Sequence, residues 1–528
     1  MKKLHRVIKV GSRSSKLAII QAKEVINNFS KIFPWFDFKL VRMSSPGDRD
    51  LSVDLRQAPD NFFTADLDKA VLDGVIDMAV HSAKDLPQKF HSGLDWVWLP
   101  WKEDPRDAIV IRKGEKIEAL RNPVCGVSSV RRENYCLRRF KSCVIKPLRG
   151  SIELRLQQLD NGKFDVIIIA LAAMKRLGLE ERVTEVIPLS ALNVPEGQGV
   201  LAITFRRNNK QFVNIRNLFI KPIVFVGAGP GNSELCTVAG INWLSKADVC
   251  LYDALINEEI FKYLPFHALK INIGHRAGMD NFKQFSTCSL MEEYAKKGLQ
   301  VVRLKGGDAG IYSRLAEEIQ FLNGRHIPYK VIPGISSIVT ASTGTGMLLT
   351  RNKLSHGFCV LTPQRKFVHK LGKLIPPIDN YVILMGKNLL KNIIQDLIKN
   401  KLASTDTNVA VIFNSTLDNE IIINSKLKNI YDKVNNTIKN VPFLLDSPAI
   451  ILVGNIAKKR FLYRNWGPLH GRRLLLTCSD SLLPRAIEAT LRYGGIPISK
   501  PMIKLAINLS HEALSQEMAE HKWVILSS

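Results

Sequence analysis

Short apolar runs alternate along the chain with segments patterned for helices. VIKVGS, IDMAVHS, AIVIR and DVIIIALA read as strands, while SKLAIIQAKEVINNF, TADLDKAVLDG and SIELRLQQLDNG carry apolar residues at helical spacing. This alternation predicts α/β architecture with largely parallel sheets. The first block runs to about residue 219 and ends in RRNNKQFVNIRNLFIK, which reads as a short connector before Pro222. A second block opens at KPIVFVGAGPG and alternates again, through ADVCLYD, LQVVRLKGG, YKVIPG, GFCVLTP, YVILMG, VAVIFN and AIILVG. A seam near residues 346–356 divides it into two α/β halves. A third block starts near GRRLLLTCSD at residue 471. It holds a strand, a helix, a strand with Pro497 and Pro501, another helix and a last strand, WVILSS. A doubly wound sheet that stops there reads as a truncated domain. The expected domains are therefore 1–219, 220–462 and 471–528.

Composition narrows the class. The chain has 528 residues, 46% hydrophobic and 23% charged, which suits a multidomain globular enzyme. No uninterrupted apolar run reaches the roughly 18 residues of a spanning helix. The start, MKKLHRVIKVGSR, lacks an apolar core segment and reads as a first strand, so the cytoplasm is the expected compartment. The eight cysteines form no C-x-x-C pair and have no His at metal spacing, so neither a metal site nor a disulfide framework is expected. The net charge of +27 leaves three readings open: nucleic-acid binding, a lysine-rich solvated surface, or a polyanionic small-molecule substrate. The basic residues are dispersed and carry no nucleic-acid motif. Their arginines favour the third reading for part of the charge.

The second block carries loops at strand ends. GAGPG places Gly229, Pro230 and Gly231 after a strand. Gly306, Gly307 and Asp308 follow VVRLK, and Pro333 and Gly334 follow YKVI ahead of Ser336 and Ser337. Asp253 closes ADVCLYD. In open α/β sheets, ligands bind at the carboxyl ends of strands. In this order, VGAGPGNSELCTVAG, ADVCLYDALIN, VVRLKGGDAGIYSR, VIPGISS and VILMGK resemble the tetrapyrrole methylase family, and uroporphyrinogen-III C-methyltransferases most closely, over residues 222–460. The resemblance implies a two-domain fold with S-adenosylmethionine between the halves. Gly229, Pro230, Gly231, Gly306, Gly307, Asp308, Pro333, Gly334, Ser336, Ser337 and Met385 would line the cofactor site. Asp253 would act near the tetrapyrrole, and Arg276 would meet a substrate carboxylate. Two departures stand out. His275 occupies the place of the family's Lys, and Ala309 that of its Pro.

The first block centres on HSAKDLP, where Asp85 sits on a turn after a strand. Such a carboxylate is ordinarily a cap. Around it, Arg13, Arg131, Arg132, Arg149, Arg155 and Arg176 fall at strand ends and helix starts. Their planar donors suit carboxylates two at a time. VGSRSSKLAIIQA, AVHSAKDLP, EDPRDAIV, GVSSVRREN, LRGSIELRLQQLDNGKFDVIIIALAAMKRLGL and PEGQGVLAI resemble hydroxymethylbilane synthases (porphobilinogen deaminases) over residues 6–206. The resemblance implies two periplasmic-binding-protein-like lobes with hinge strands near 100–106 and 197–203. Asp85 would protonate departing ammonia, and Ser15, Lys84 and the six arginines would hold acetate and propionate arms. The family's third domain, whose Cys carries the dipyrromethane cofactor, has no counterpart before the second block, and none of the eight cysteines has a matching context. The family's Gly-Lys loop reads Pro59, Asp60, Asn61, placing a carboxylate where a cation is expected.

The third block resembles the first part of uroporphyrinogen-III synthase through GRRLLLTCSDSLLPRAIEATLRYGGIPISKPMIKL and WVILSS. Thr477 and Cys478 replace that family's Thr-Arg. The leading expectation is an enzyme methylating uroporphyrinogen III to precorrin-2, toward siroheme or a corrinoid. The alternatives are a deaminase completed by a partner chain that supplies the missing domains, or a non-catalytic fusion that binds tetrapyrroles. Polycarboxylate pyrroles are the expected ligands, with neither nucleic acid nor membrane as a partner. The resemblance also implies a homodimer through the methylase block.

Overall fold

The computed structural model describes residues 6–45, 59, 61–274, 281–363, 377–417, 419–458, 460–461, 467–469 and 472–500, apart from the side chains of 281–285. The chain forms two compact units. The first takes Met1–Gly227, Val238–Lys305 and Ser313–Pro333, and the second Ala228–Thr237, Gly306–Tyr312 and Gly334–Ser528.

The first unit begins with β1 (Arg6–Arg13), β2 (Phe36–Met43), β3 (Met78–Ser82) and β4 (Leu94–Lys102). The chain then crosses at 103–106 into β5 (Asp107–Ile111), β6 (Val124–Val127), β7 (Val144–Pro147), β8 (Val166–Ala170) and β9 (Glu185–Val186), and returns as β10 (Val200–Arg206). Two five-stranded sheets result, ordered β2-β1-β3-β10-β4 and β7-β6-β8-β5-β9. The returning strand β10 lies antiparallel to β3 and β4, and β5 lies antiparallel to β8 and β9. The sheets are therefore mixed where largely parallel sheets were expected. A strand that comes back from the neighbouring lobe must enter against the local direction. β8 is buried at all five positions, as its unbroken VIIIA predicts.

The same unit contains a third sheet from β11 (Ile223–Gly227), β12 (Val249–Tyr252), β13 (Leu269–Asn272), β14 (Val301–Lys305) and β15 (Tyr329–Ile332). Its order is β13-β12-β14-β11-β15 and every pairing is parallel. One core joins the first and third sheets: Ile8, Phe29, Phe205 and Phe212 are packed with Phe225, Leu251, Met291 and Leu322.

The expected connector is a structural element. Asn209 caps the helix Lys210–Asn217, which buries Phe212, Val213, Ile215 and Arg216. Phe219 then stacks on Phe29 with centroids 5.9 Å apart. Amides and cations dominate this stretch and mask its apolar residues, of which Phe212, Val213, Ile215, Phe219 and Ile220 face the shared core while Leu218 is exposed.

The second unit has a sheet of β16 (Phe358–Leu361), β17 (Asn380–Leu384), β18 (Asn408–Phe413), β19 (Ile421–Lys426) and β20 (Ala449–Gly454), ordered β16-β17-β20-β18-β19. It is antiparallel except for the β16–β17 pair. The described part of the third block is a parallel pair, β21 (Arg473–Leu476) and β22 (Ile496–Ser499), with the helix Leu483–Arg492 between them. WVILSS lies outside the described residues.

Candidate functional site

In the second unit, two glycine loops are clamped together. Gly229 N donates to Gly307 O at 3.2 Å, and Gly307 N donates to Gly229 O at 2.8 Å. Gly229 has φ +81°, and an added Cβ would stand 2.7 Å from Leu235 O, so only glycine fits there. The Asp308 carboxylate fixes both neighbouring turns: Oδ1 accepts from Gly310 N at 2.8 Å and Oδ2 from Gly334 N at 2.9 Å. Ser336 Oγ accepts from Ile338 N. Ala309 is fully buried, so the loop closes without the family's Pro. Asn232 N, just after Pro230 and Gly231, donates to Thr416 Oγ1 at 3.2 Å. Met385 has φ +56° and is largely exposed after β17. Beside the Gly306 Cα there is open space, with nothing within 4 Å of where a Cβ would be. Open space beside a glycine backbone, next to loops fixed by main-chain hydrogen bonds, is compatible with a bound S-adenosylmethionine.

In the first unit, Asp253 follows β12, and Oδ1 accepts from Arg303 Nη2 at 2.6 Å. Arg303 is itself buried and donates to Glu318 Oε1 at 3.0 Å, while Lys305 Nζ reaches Glu318 Oε2 at 2.6 Å. Burial opposes the Arg303 charge, and Glu318 and Asp253 outweigh it and hold its pKa above the ordinary value. Burial and Arg303 push the Lys305 ammonium below its usual range. Arg303, Lys305 and Glu318 were not singled out in the sequence. The signal was present, because two cations at alternate positions of an apolar parallel strand share one face and require buried partners. Gly274 is described, but Arg276 and His275 lie outside the described residues.

The first two sheets hold a second constellation. Lys84 and Asp85 occupy the turn after β3, and Lys84 Nζ donates to Gln198 Oε1 at 3.1 Å. Gln198 Nε2 donates to Asp107 Oδ1 at 2.9 Å. The fully buried Asp107 also takes Arg132 Nη2 on Oδ1 at 2.8 Å and Arg131 Nη2 on Oδ2 at 2.6 Å. Burial would raise its pKa, but the arginines prevail and hold it below the usual carboxylate range. Gln198 and Asp107 therefore organise the site, although the sequence reading quoted their motifs without giving them a role.

Burial pushes the Arg155 guanidinium down to about 10, helped by Arg132, Arg149 and Arg13 and opposed by Asp85. Burial, then Arg132, push Lys84 down to about 8, although its surface still reaches water. These groups share one cationic cleft. Arg13 stacks over Phe63 at 4.4 Å, and Arg149 lies over Phe62 at 5.9 Å. Arg176 lies apart from this set, paired with Glu24 at 2.8 Å and bonded to Gly199 O. Ser15 Oγ caps the helix Lys16–Ile32 by accepting from Ala18 N. Pro59 and Asn61 are described, but Asp60 is outside the described residues.

The described residues contain no cluster of three or more metal-ligating side chains. Burial holds the Cys250 and Cys288 thiols up at about 12, so neither is a nucleophile near neutral pH.

Parallel strands with glycine loops at their carboxyl ends, joined to a two-lobed cationic cleft, define a multidomain α/β enzyme for anionic ligands. The family model for porphobilinogen deaminase, dipyromethane cofactor binding domain, matches residues 8–214. That for tetrapyrrole (corrin/porphyrin) methylases matches residues 222–431. A uroporphyrinogen-III C-methyltransferase of Methanocaldococcus jannaschii is 37% identical over 239 residues, covering 44% of this chain and 96% of that protein. A porphobilinogen deaminase of Acetivibrio thermocellus is 38% identical over 203 residues, covering 38% of this chain and 69% of that protein. A solved uroporphyrin III C-methyl transferase from Thermus thermophilus aligns with 45% of this chain and 100% of its own, at 25% identity and a TM-score of 0.38. The chain belongs to the tetrapyrrole methylase family through its central region and to the porphobilinogen deaminase family through its amino-terminal region. Neither family match extends beyond residue 431, so the synthase resemblance of the third block gains no support from them.

Proposed function

We propose that the central region is an S-adenosylmethionine-dependent uroporphyrinogen-III C-methyltransferase, leading to precorrin-2. The observation that carries this reading is the clamped pair of glycine loops, with Asp308 tied to Gly334 beside the open surface at Gly306. Gly229, Pro230, Gly231, Gly306, Gly307, Asp308, Pro333, Gly334, Ser336, Ser337 and Met385 are the proposed cofactor residues. When bound, S-adenosylmethionine supplies an electrophilic methyl group. A pyrrole carbon is electron-rich enough to take it without a strong base, so the residues chiefly align substrate and exclude water. Asp253, held by Arg303, is the carboxylate proposed to face pyrrole N–H groups. The test is incubation of the full chain with S-adenosylmethionine and uroporphyrinogen III, followed by mass analysis. Products carrying one and two added methyl groups are expected. Intact cofactor binding without methylation would overturn the reading.

A second reading concerns the amino-terminal lobes and rests on their cationic cleft. Lys84, Arg13, Arg149 and Arg155 would hold pyrrole acetates and propionates, and Asp85 would act as the acid toward departing ammonia. Arg131, Arg132 and Arg176 act through their ion pairs, and Ser15 through its cap. This activity needs a partner chain that supplies the cysteine-bearing third domain. Porphobilinogen turnover only on adding such a domain, with no covalent pyrrole adduct on this chain, is the expected result. Domains at 1–219, 220–462 and 471–528, a methylase-mediated dimer and a cytoplasmic location belong to the same proposal. No helix among the described residues is long and apolar enough to cross a membrane.

A further inference from the structure

A cavity of 330 Å³ lies within the first unit, between the turn that carries Lys84 and the helix Asn281–Lys296. Its wall on the β4 side is aromatic. Trp96 is stacked on Phe90 with centroids 5.3 Å apart, and Trp98 lines the cavity beside it. The opposite side is charged, and most of that charge is already matched. Lys296 Nζ is 2.5 Å from both Asp95 and Glu292, Arg325 reaches Glu292 at 3.0 Å, and Lys297 sits between Glu196 at 2.8 Å and Glu293 at 2.7 Å.

Arg207 is the exception. It follows β10, lines this cavity, and also lines a neighbouring one of 540 Å³. Its Nε is buried with no hydrogen-bond partner, and its guanidinium makes no ion pair among the described residues. A buried donor left unmade costs free energy, and native proteins keep few of them. Lys84, on the same wall, has the neutral Gln198 as its hydrogen-bond partner among the described residues.

We propose that this cavity is a binding site for a monocyclic aromatic carboxylate, with Arg207 taking the carboxylate and Trp96 and Trp98 flanking the ring. The volume is at the small end of the roughly 300–1,000 Å³ range of ligand sites, which suits one ring and excludes a tetrapyrrole. Lys296 and Lys297 already lie over the Trp96 and Trp98 rings, at 5.7 and 5.6 Å, so the indoles would meet a flat π-system edge-on, and a guanidinium suits a planar carboxylate in two-point contact. The site exists only because the deaminase-type lobe and the methylase share a core, since β4 supplies the aromatic wall and the helix Asn281–Lys296 the other. The reading of the chain as a pyrrole enzyme enters only in the choice of probe, so failure of methylation would leave this proposal standing.

The probe is porphobilinogen, titrated into the full chain while tryptophan fluorescence is followed. A saturable quench is expected. Trp98→Phe, which removes a reporter and shrinks one flanking ring, should reduce its amplitude and raise Kd by about threefold. Arg207→Gln should raise Kd by roughly tenfold to a hundredfold, as loss of a charge-assisted hydrogen bond does. Arg207→Lys, which keeps the charge, should give a smaller rise and serves if the Gln variant does not fold. Absence of a saturable quench would overturn the proposal. So would binding that survives Arg207→Gln and Arg207→Lys unchanged but disappears in Arg149→Ala, because that ligand sits in the lobe cleft.

Discussion

Asp253 and Arg303 meet at 2.6 Å, with the arginine sealed from solvent and the carboxylate at its edge. Through Arg303 the carboxylate is tied to Glu318 and Lys305, so its orientation is set from inside the fold. Asp253→Ala should lower methylation while leaving S-adenosylmethionine affinity within a factor of about two, well under 1 kcal/mol. Parallel loss of both, measured by calorimetry and product mass, would show that Asp253 serves the cofactor instead.

Glu318→Ala should be far more damaging to folding than to chemistry. It strands Arg303 and Lys305 in the interior without a counter-charge, and breaking a buried pair in this way costs about 3–5 kcal/mol. Chemical denaturation of the two proteins would measure the difference. A loss below about 1 kcal/mol would mean that water reaches these groups.

Asp107→Asn should loosen the amino-terminal cleft. Arg131, Arg132 and Gln198 all converge on this carboxylate, and the expected stability loss is about 3 kcal/mol. Because its folded pKa is held low, its contribution is present above the unfolded value near 4 and is lost as pH falls further. The variant should therefore lose part of the acid sensitivity of the parent below about pH 4.

Asp68 and His81 both meet Thr204, at 3.4 and 3.0 Å, and they titrate in opposing senses. Burial pushes Asp68 up to about 6, so the folded state favours its proton and stability from this group falls as pH rises from about 4 to 6. Burial, with Arg13, pushes His81 down to about 3, so stability from the histidine rises with pH up to about 6.5. Asp68→Asn should therefore raise Tm at pH 7 and steepen the rise of Tm between pH 4 and 6. An unchanged pH profile would refute the linkage.

Lys84, pushed down to about 8, should make carboxylate binding in the lobe cleft weaken as pH passes through that value. Lys84→Gln should bind less tightly at pH 7 and show no such step. Affinity measured at pH 6.5, 8 and 9.5 decides it.

Much of this was legible in order. The apolar runs marked strands such as VIIIA and VVRLK, and the loop motifs fell at strand ends, because local spacing and glycine chemistry act within a few residues. The mixed character of the first sheets was not legible, since β10 pairs with strands about 120 residues earlier. Nor was the part played by the connector, whose burial depends on a partner surface formed by β1, β11 and the helix Lys16–Ile32.

The same division holds for the sites. The sequence alone marked candidate residues for chemistry, because a Gly-Gly-Asp loop or a carboxylate after a strand keeps its character wherever the chain goes. Only the tertiary structure decided which charges are spoken for. Arg131, Arg132 and Arg176 find carboxylates, Arg303 finds two, and Arg207 is left facing a cavity. Ion pairing acts over a few ångströms between groups dozens to hundreds of residues apart, and that distance is set by packing and not by spacing along the chain.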